Sequence, residues 1–155
     1  MKSVKWLSVL IIAMSLTCAV FAEETQRTAK IDQLAGDVSV KLYGKEGWAS
    51  AKKGMTLTEG DMLKTGMDSF AFLRLNGGGE TAYVEVSENS KLLLSELIAD
   101  KEKGTQRTLL DLAIGQILIK AEKIHTPESK FEVKTPTSIV GVRGTRFSVK
   151  VEAIE

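Results

Sequence analysis

Hydrophobic residues recur at every second position along most of this chain. Val38, Val40 and Leu42 alternate with Ser39 and Lys41 after Gly36. Ala71, Leu73 and Leu75 alternate up to the run Asn76-Gly77-Gly78-Gly79, and Ala82, Val84 and Val86 alternate after it. Leu92 and Leu94 open another segment. Leu110, Leu112 and Ile114 form the next, and Ile117, Ile119 and Ala121 resume beyond Gly115. Phe131, Val133 and Thr135 lead into Pro136, and Phe147, Val149 and Val151 close the pattern. A period of two lines one face of a strand with apolar side chains. Turn-forming residues divide these segments at intervals of roughly 8–12 residues, the spacing of an all-β sandwich or barrel.

Two stretches compete for helix. Glu88 to Asp100 and Leu109 to Ile114 have helix-compatible composition, but neither opens on a capping box and Gly115 follows the second. Both are read as strand, although Leu-Leu-Asp-Leu-Ala-Ile is a good helix former. Asp100 to Thr105 reads as a charged hairpin tip, and Asn76 to Gly79 as a hairpin turn. The core expected from the alternation is Val38, Val40, Leu57, Leu63, Ala71, Leu73, Leu75, Val84, Leu94, Leu112, Ile117, Ile119, Phe131, Val133, Phe147 and Val149. The expected fold is an antiparallel β-sandwich of jelly-roll type, two packed sheets over a core of alternate residues, with a short β-solenoid as the alternative.

The N-terminus breaks the pattern. Lys2 and Lys5 precede an almost wholly apolar run from Trp6 to Val20, followed by Val20-Phe21-Ala22 and then Glu23-Glu24. That order reads as a signal peptide over 1–22 with cleavage after Ala22, a polar extension over 23–28 and one β domain over 29–151. The apolar run is short for a spanning helix, which needs about 20 residues. The expected location is periplasmic or secreted, with no stable membrane span once the leader is removed. Cys18 is the single cysteine and lies in the leader. Ser15 and Thr17 fit a lipoprotein signal poorly, so lipid anchoring at Cys18 is the lesser alternative. Without the leader the chain has no thiol chemistry and no disulfide, and its core alone must hold it.

Charge narrows the partner. The chain has 21 Lys and Arg against 20 Asp and Glu, a formal net charge of +1. No basic stripe is visible, which argues against nucleic acid and leaves an envelope protein or a cell-wall glycan as the partner.

The punctuation between strands is more specific than the strands. Gly36-Asp37-Val38 opens the first; Gly47-Trp48 leads through Ala51 to Gly54; then come Leu57, Gly60, Asp61, Leu63 and Thr65. Phe131, Val133, Thr135 and Pro136 stand near the end, followed by Val142-Arg143-Gly144-Thr145-Arg146-Phe147-Ser148-Val149. This order resembles the FecR-type domain family, with its Gly-Asp-x-Leu-x-Thr, Phe-x-Val-x-Thr-Pro and Arg-Gly-Thr-x-Phe-x-Val elements, over about Ala29 to Val151. The resemblance implies a periplasmic sensing domain of the kind found in an iron-citrate signalling protein. Only Met1 to Lys5 precede the apolar run and nothing follows Glu155, so the expectation is a stand-alone binding or scaffolding module, not a complete signal relay.

Candidate residues divide into motif positions and exposed binders. Gly60, Asp61, Thr65, Gly144, Thr145 and Phe147 are read as structural: Gly60 and Gly144 for sharp turns, Asp61 for a carboxylate that caps backbone N–H groups. Trp48, Tyr43 and Arg143 are the candidate binding residues, two aromatic rings for a sugar face or protein contact and a guanidinium for an anion. The competing expectation is that Trp48 covers the core and Arg143 binds oxygens of its own domain. Tyr83 shares the aromatic reading. His125 stands alone in a polar stretch, no Ser occupies a nucleophile elbow, and the Gly-rich turn lacks the Lys of a phosphate loop. The expectation is therefore no catalytic, metal or cofactor site.

Overall fold

The structure is a computed structural model and describes residues 24–76, 82–121, 126–144 and 146–152. The leader, Cys18, the glycines of the 77–79 turn, His125 and Thr145 lie outside the described residues. Thirteen strands and no helix occur among the described residues. They are β1 (Glu24–Gln26), β2 (Thr28–Ala35), β3 (Val38–Lys41), β4 (Ala49–Ser50), β5 (Thr56–Leu57), β6 (Met62–Thr65), β7 (Phe70–Asn76), β8 (Ala82–Val86), β9 (Lys91–Asp100), β10 (Thr105–Ala121), β11 (Lys130–Lys134), β12 (Ile139–Val142) and β13 (Arg146–Val151).

One curled sheet joins them in the order β4-β3-β6-β9-β10-β8-β7-β2-β5. The long strand β10 is its spine. Its first half pairs with β9 antiparallel and with β11 in parallel. Its second half pairs with β8 and β13, both antiparallel. Gly115 lies where one set of partners gives way to the other, with φ of +96°. At that bend the sheet turns over itself to make a half-barrel. The all-β class therefore stands, and the pairing is chiefly antiparallel. The described strands form one continuous curled sheet, and their order does not establish a jelly-roll connectivity, nor the repeating coil of a solenoid.

The concave side holds the core. Leu63, Leu92, Leu94, Leu110 and Leu112 come from the first half of the sheet, and Ile31, Leu73, Leu75, Val84, Ile117 and Ile119 from the second. All are buried. Burying each of these side chains contributes about 1.5–3 kcal/mol, offset by the ordering of the chain. Of the core expected from alternation, Phe147 alone is only partly buried, packed against the cluster's margin. Leu109 to Ile114 is strand despite its helix-favouring composition. Its period of two sends Leu110 and Leu112 inward and Asp111 outward to Lys134, 3.3 Å away. Core burial outweighs intrinsic propensity there.

Candidate interaction site

The Gly60-Asp61 turn ties the loop after β3 to the sheet. Asp61 is buried, and both carboxylate oxygens accept hydrogen bonds. Oδ1 takes the backbone N–H of Tyr43 at 2.7 Å; Oδ2 takes the Thr58 N–H at 2.7 Å and the Thr58 hydroxyl at 3.2 Å. The main chain of the same turn joins β9: Gly60 N–H donates to Leu94 and Leu94 N–H to Asp61. Gly60 has φ of +87°, and a Cβ there would lie 2.7 Å from the Tyr43 ring. The carboxylate thus serves backbone donors.

Tyr43 and Trp48 are set by that loop. Tyr43 is 78% exposed and Trp48 37% exposed. Lys64 Nζ stands 4.7 Å from the Trp48 ring centroid, a cation–π contact that occupies one face of the indole. Trp48 lies outside the buried core cluster.

Thr65 joins two turns. Its hydroxyl donates to the Ser87 carbonyl at 2.5 Å and accepts from Ser90 N–H at 3.0 Å. Ser69 Oγ accepts from Asp37 N–H at 2.8 Å and donates to the Met67 carbonyl at 2.9 Å. These bonds draw the 36–37, 65–69 and 87–90 segments together at one end of the half-barrel.

The other candidates lie elsewhere. Following β10, β11 and then β12 form the opposite edge of the half-sheet that begins with β4 and β3. Arg143 follows β12, so the structure separates it from Tyr43 and Trp48 by the width of the sheet. Arg143 is exposed and makes no hydrogen bond or ion pair with a described residue. Gly144 takes φ of +71° at the turn into β13.

The β12 edge was not singled out in the sequence. β12 pairs only with β11, Val142 against Phe131 and Val140 against Val133. Its outer edge has no partner strand among the described residues. Val142 is buried, whereas Ile139 is 63% and Val140 38% exposed. A groove of about 720 Å³ runs from Pro136 and Val140 to Val149 and Val151 of β13, across Ala113 and Ile114. Edges are normally blunted by charge, proline or shortness. β4 and β5 have two residues each, and β13 carries Arg146 and Lys150. β12, Ile-Val-Gly-Val, has neither charge nor proline. The signal available in sequence was this uncharged run beside Arg143, but its central Gly141 broke the alternation.

The comparison with known proteins fits the strand punctuation. A family model described as FecR protein matches residues 61–154. The chain belongs to the FecR protein family. No curated protein matches it, and no solved structure does. The FecR match opens at Asp61 and takes in β6 to β13. β2 and β3 precede it, yet they pair with β7 and β6 in the same sheet.

The FecR motif positions serve the fold where they are described. Asp61 and Thr65 satisfy backbone groups, and Phe147 closes the core margin. Among the described residues no three His, Cys, Asp or Glu side chains are grouped to hold a metal ion, and no helix is long and apolar enough to cross a membrane. Among the described residues the surface carries an unpaired strand edge, exposed aromatic rings and exposed cations.

Proposed function

We propose that this FecR-family protein is a non-catalytic interaction module of the cell envelope, exported by its N-terminal segment, and that it binds an extended segment of an envelope protein along β12. The observation that carries this reading is the uncharged edge of β12, unpaired among the described residues, with Ile139 and Val140 exposed beside a groove of mixed lining, Val149 and Val151 with Ser148 and Lys150. An incoming strand would find backbone donors and acceptors on that edge and both apolar and polar contacts in the groove beside Val140. The family is compatible with envelope signalling, and strand addition is a reversible way to relay an encounter. The sandwich described by two packed layers remains part of this reading, the two arms of β10 acting as its faces.

A photo-crosslinking amino acid at position 139, in the full chain in its own cells, tests the reading. One defined protein adduct, absent when the crosslinker is moved to the exposed Lys53 beyond the opposite sheet edge, is the expected result. An equal adduct pattern from both positions would show that β12 is not the contact. A glycan reading at Trp48 has less support, because Lys64 already lies over one face of that ring.

A further inference from the structure

The outward face of β7, β8, β10 and β13 has a different chemistry. Phe72, Tyr83, Glu85, Leu118, Lys120 and Arg146 line a groove of about 310 Å³ there. Register brings them together from four strands. Phe72 is opposite Glu85, Glu85 opposite Leu118, Tyr83 opposite Lys120, and Lys120 opposite Arg146. Residues in register share a face, and their chain neighbours Leu73, Val84 and Ile119 are buried on the other. Phe70 meets Phe72 edge to face, with ring centroids 5.4 Å apart, which fixes one aromatic wall. Tyr83 is 44% exposed.

The two cations are the informative pair. Lys120 and Arg146 stand directly opposite on neighbouring strands, an arrangement that destabilises a sheet when both carry the same charge. Neither makes an ion pair with a described residue. Arg74, on the same face, is instead held by Asp32 through two contacts of 3.0 and 3.1 Å. Among the described residues, then, one cation is neutralised and two are not, beside exposed Tyr83 and half-buried Phe72.

We propose that this groove binds an anionic glycan, a chain of sugar rings bearing carboxylates. Tyr83 and Phe72 offer apolar faces to the sugar rings, Lys120 and Arg146 take the carboxylate, and Glu85 accepts from sugar hydroxyls. Glu85 opposes a polynucleotide, whose phosphate track needs a continuous cationic path. The groove lies across the outward faces of β8 and β10, both already paired on each side, so an extended acidic peptide could add a strand only at β13, beyond the groove floor, where Glu85 would repel its charge. The groove and β12 lie on different arms of the curled sheet, so each can be removed without the other.

Calorimetric titration of the full chain with an oligogalacturonate, and with its methyl ester, tests the proposal. The acid form is expected to bind saturably, more weakly as salt rises, and at least tenfold better than the ester. Lys120→Gln, Arg146→Gln and Tyr83→Ala should each weaken binding by roughly tenfold or more, with Arg146→Lys retaining most of it. The thermal midpoint of each variant reports whether it is folded. Absence of saturable binding overturns the proposal. So does equal binding of the ester, or binding of polyglutamate or a single-stranded oligonucleotide as tight as that of the oligogalacturonate.

Discussion

Gly115 and Ser90 meet backbone to backbone at the corner of the sheet. A Cβ on Gly115 would lie 2.1 Å from Ser90 Oγ and 2.4 Å from Ser90 Cα. Ser90 Oγ accepts from Gln116 N–H at 3.0 Å and donates to the Glu88 carbonyl, also at 3.0 Å. The corner thus combines a backbone angle open to glycine with a contact that excludes a side chain. Gly115→Ala should cost about 3 kcal/mol, from positive φ and overpacking together. Ser90→Gly should not restore it, since the Cα is also in the way. Urea unfolding of both single variants and the double variant checks this. An unchanged midpoint for Gly115→Ala would remove the corner from the account of the fold.

The alternation at Leu110, Leu112, Ile117 and Ile119 shows how far the sequence reaches. Inward positions were legible because a strand's period is two. The bend between them was marked by Gly115, but nothing local says that one strand changes partners there. The parallel pairing of β11 on β10 is a non-local fact set by core closure. The candidate surfaces were less legible still. Tyr43 and Trp48 could be named as aromatic, but their exposure depends on Asp61 and Lys64. Lys120 and Arg146 are 26 positions apart and meet only through the register of β10 with β13.

Asp61 sets the loop that carries Tyr43 and Trp48. Asp61→Ala removes a buried acceptor from two backbone N–H groups and should cost about 3 kcal/mol, since hydrogen bonds to charged groups contribute roughly 1.5–3 kcal/mol each. Asp61→Asn keeps one acceptor and should cost less. Amide exchange at Tyr43 and Thr58 should accelerate in both variants before global unfolding. Protection at those amides equal to the parent's would contradict the anchoring role.

Acid should loosen the β9–β10 hairpin before the rest of the sheet. Asp100 Oδ1 accepts from the Lys103 N–H at 3.0 Å and the Glu102 N–H at 3.1 Å, and Lys103 Nζ lies 3.2 Å from Oδ2. The Lys103 backbone N–H is the chief cause holding this carboxyl below its usual value, against the opposing effect of burial. A carboxyl with a lowered folded pKa stabilises the fold above the unfolded value and loses that effect as pH falls through the folded one. Protection at residues 101–104, taken relative to the intrinsic exchange rate at each pH, should therefore be flat down to about pH 4 and fall below it. In Asp100→Asn protection should be low throughout and lack that inflection. A parent hairpin insensitive to acid would contradict the assignment.

The β12 edge should be separable from folding. Ile139 and Val140 are exposed, so Ile139→Lys with Val140→Lys should change stability by no more than about 1 kcal/mol, as surface substitutions usually do. The charges would nevertheless meet any strand laid along that edge, the means by which natural sheets reject unwanted pairing. Crosslinking through a photoreactive group at position 138 should then fall sharply, while the unfolding midpoint stays near the parent's. The paired side of β12 offers an internal control, since Val142 remains opposite Phe131. If adduct yield survives both lysines in a protein of parental stability, the partner reaches another surface and β12 is merely an uncovered edge.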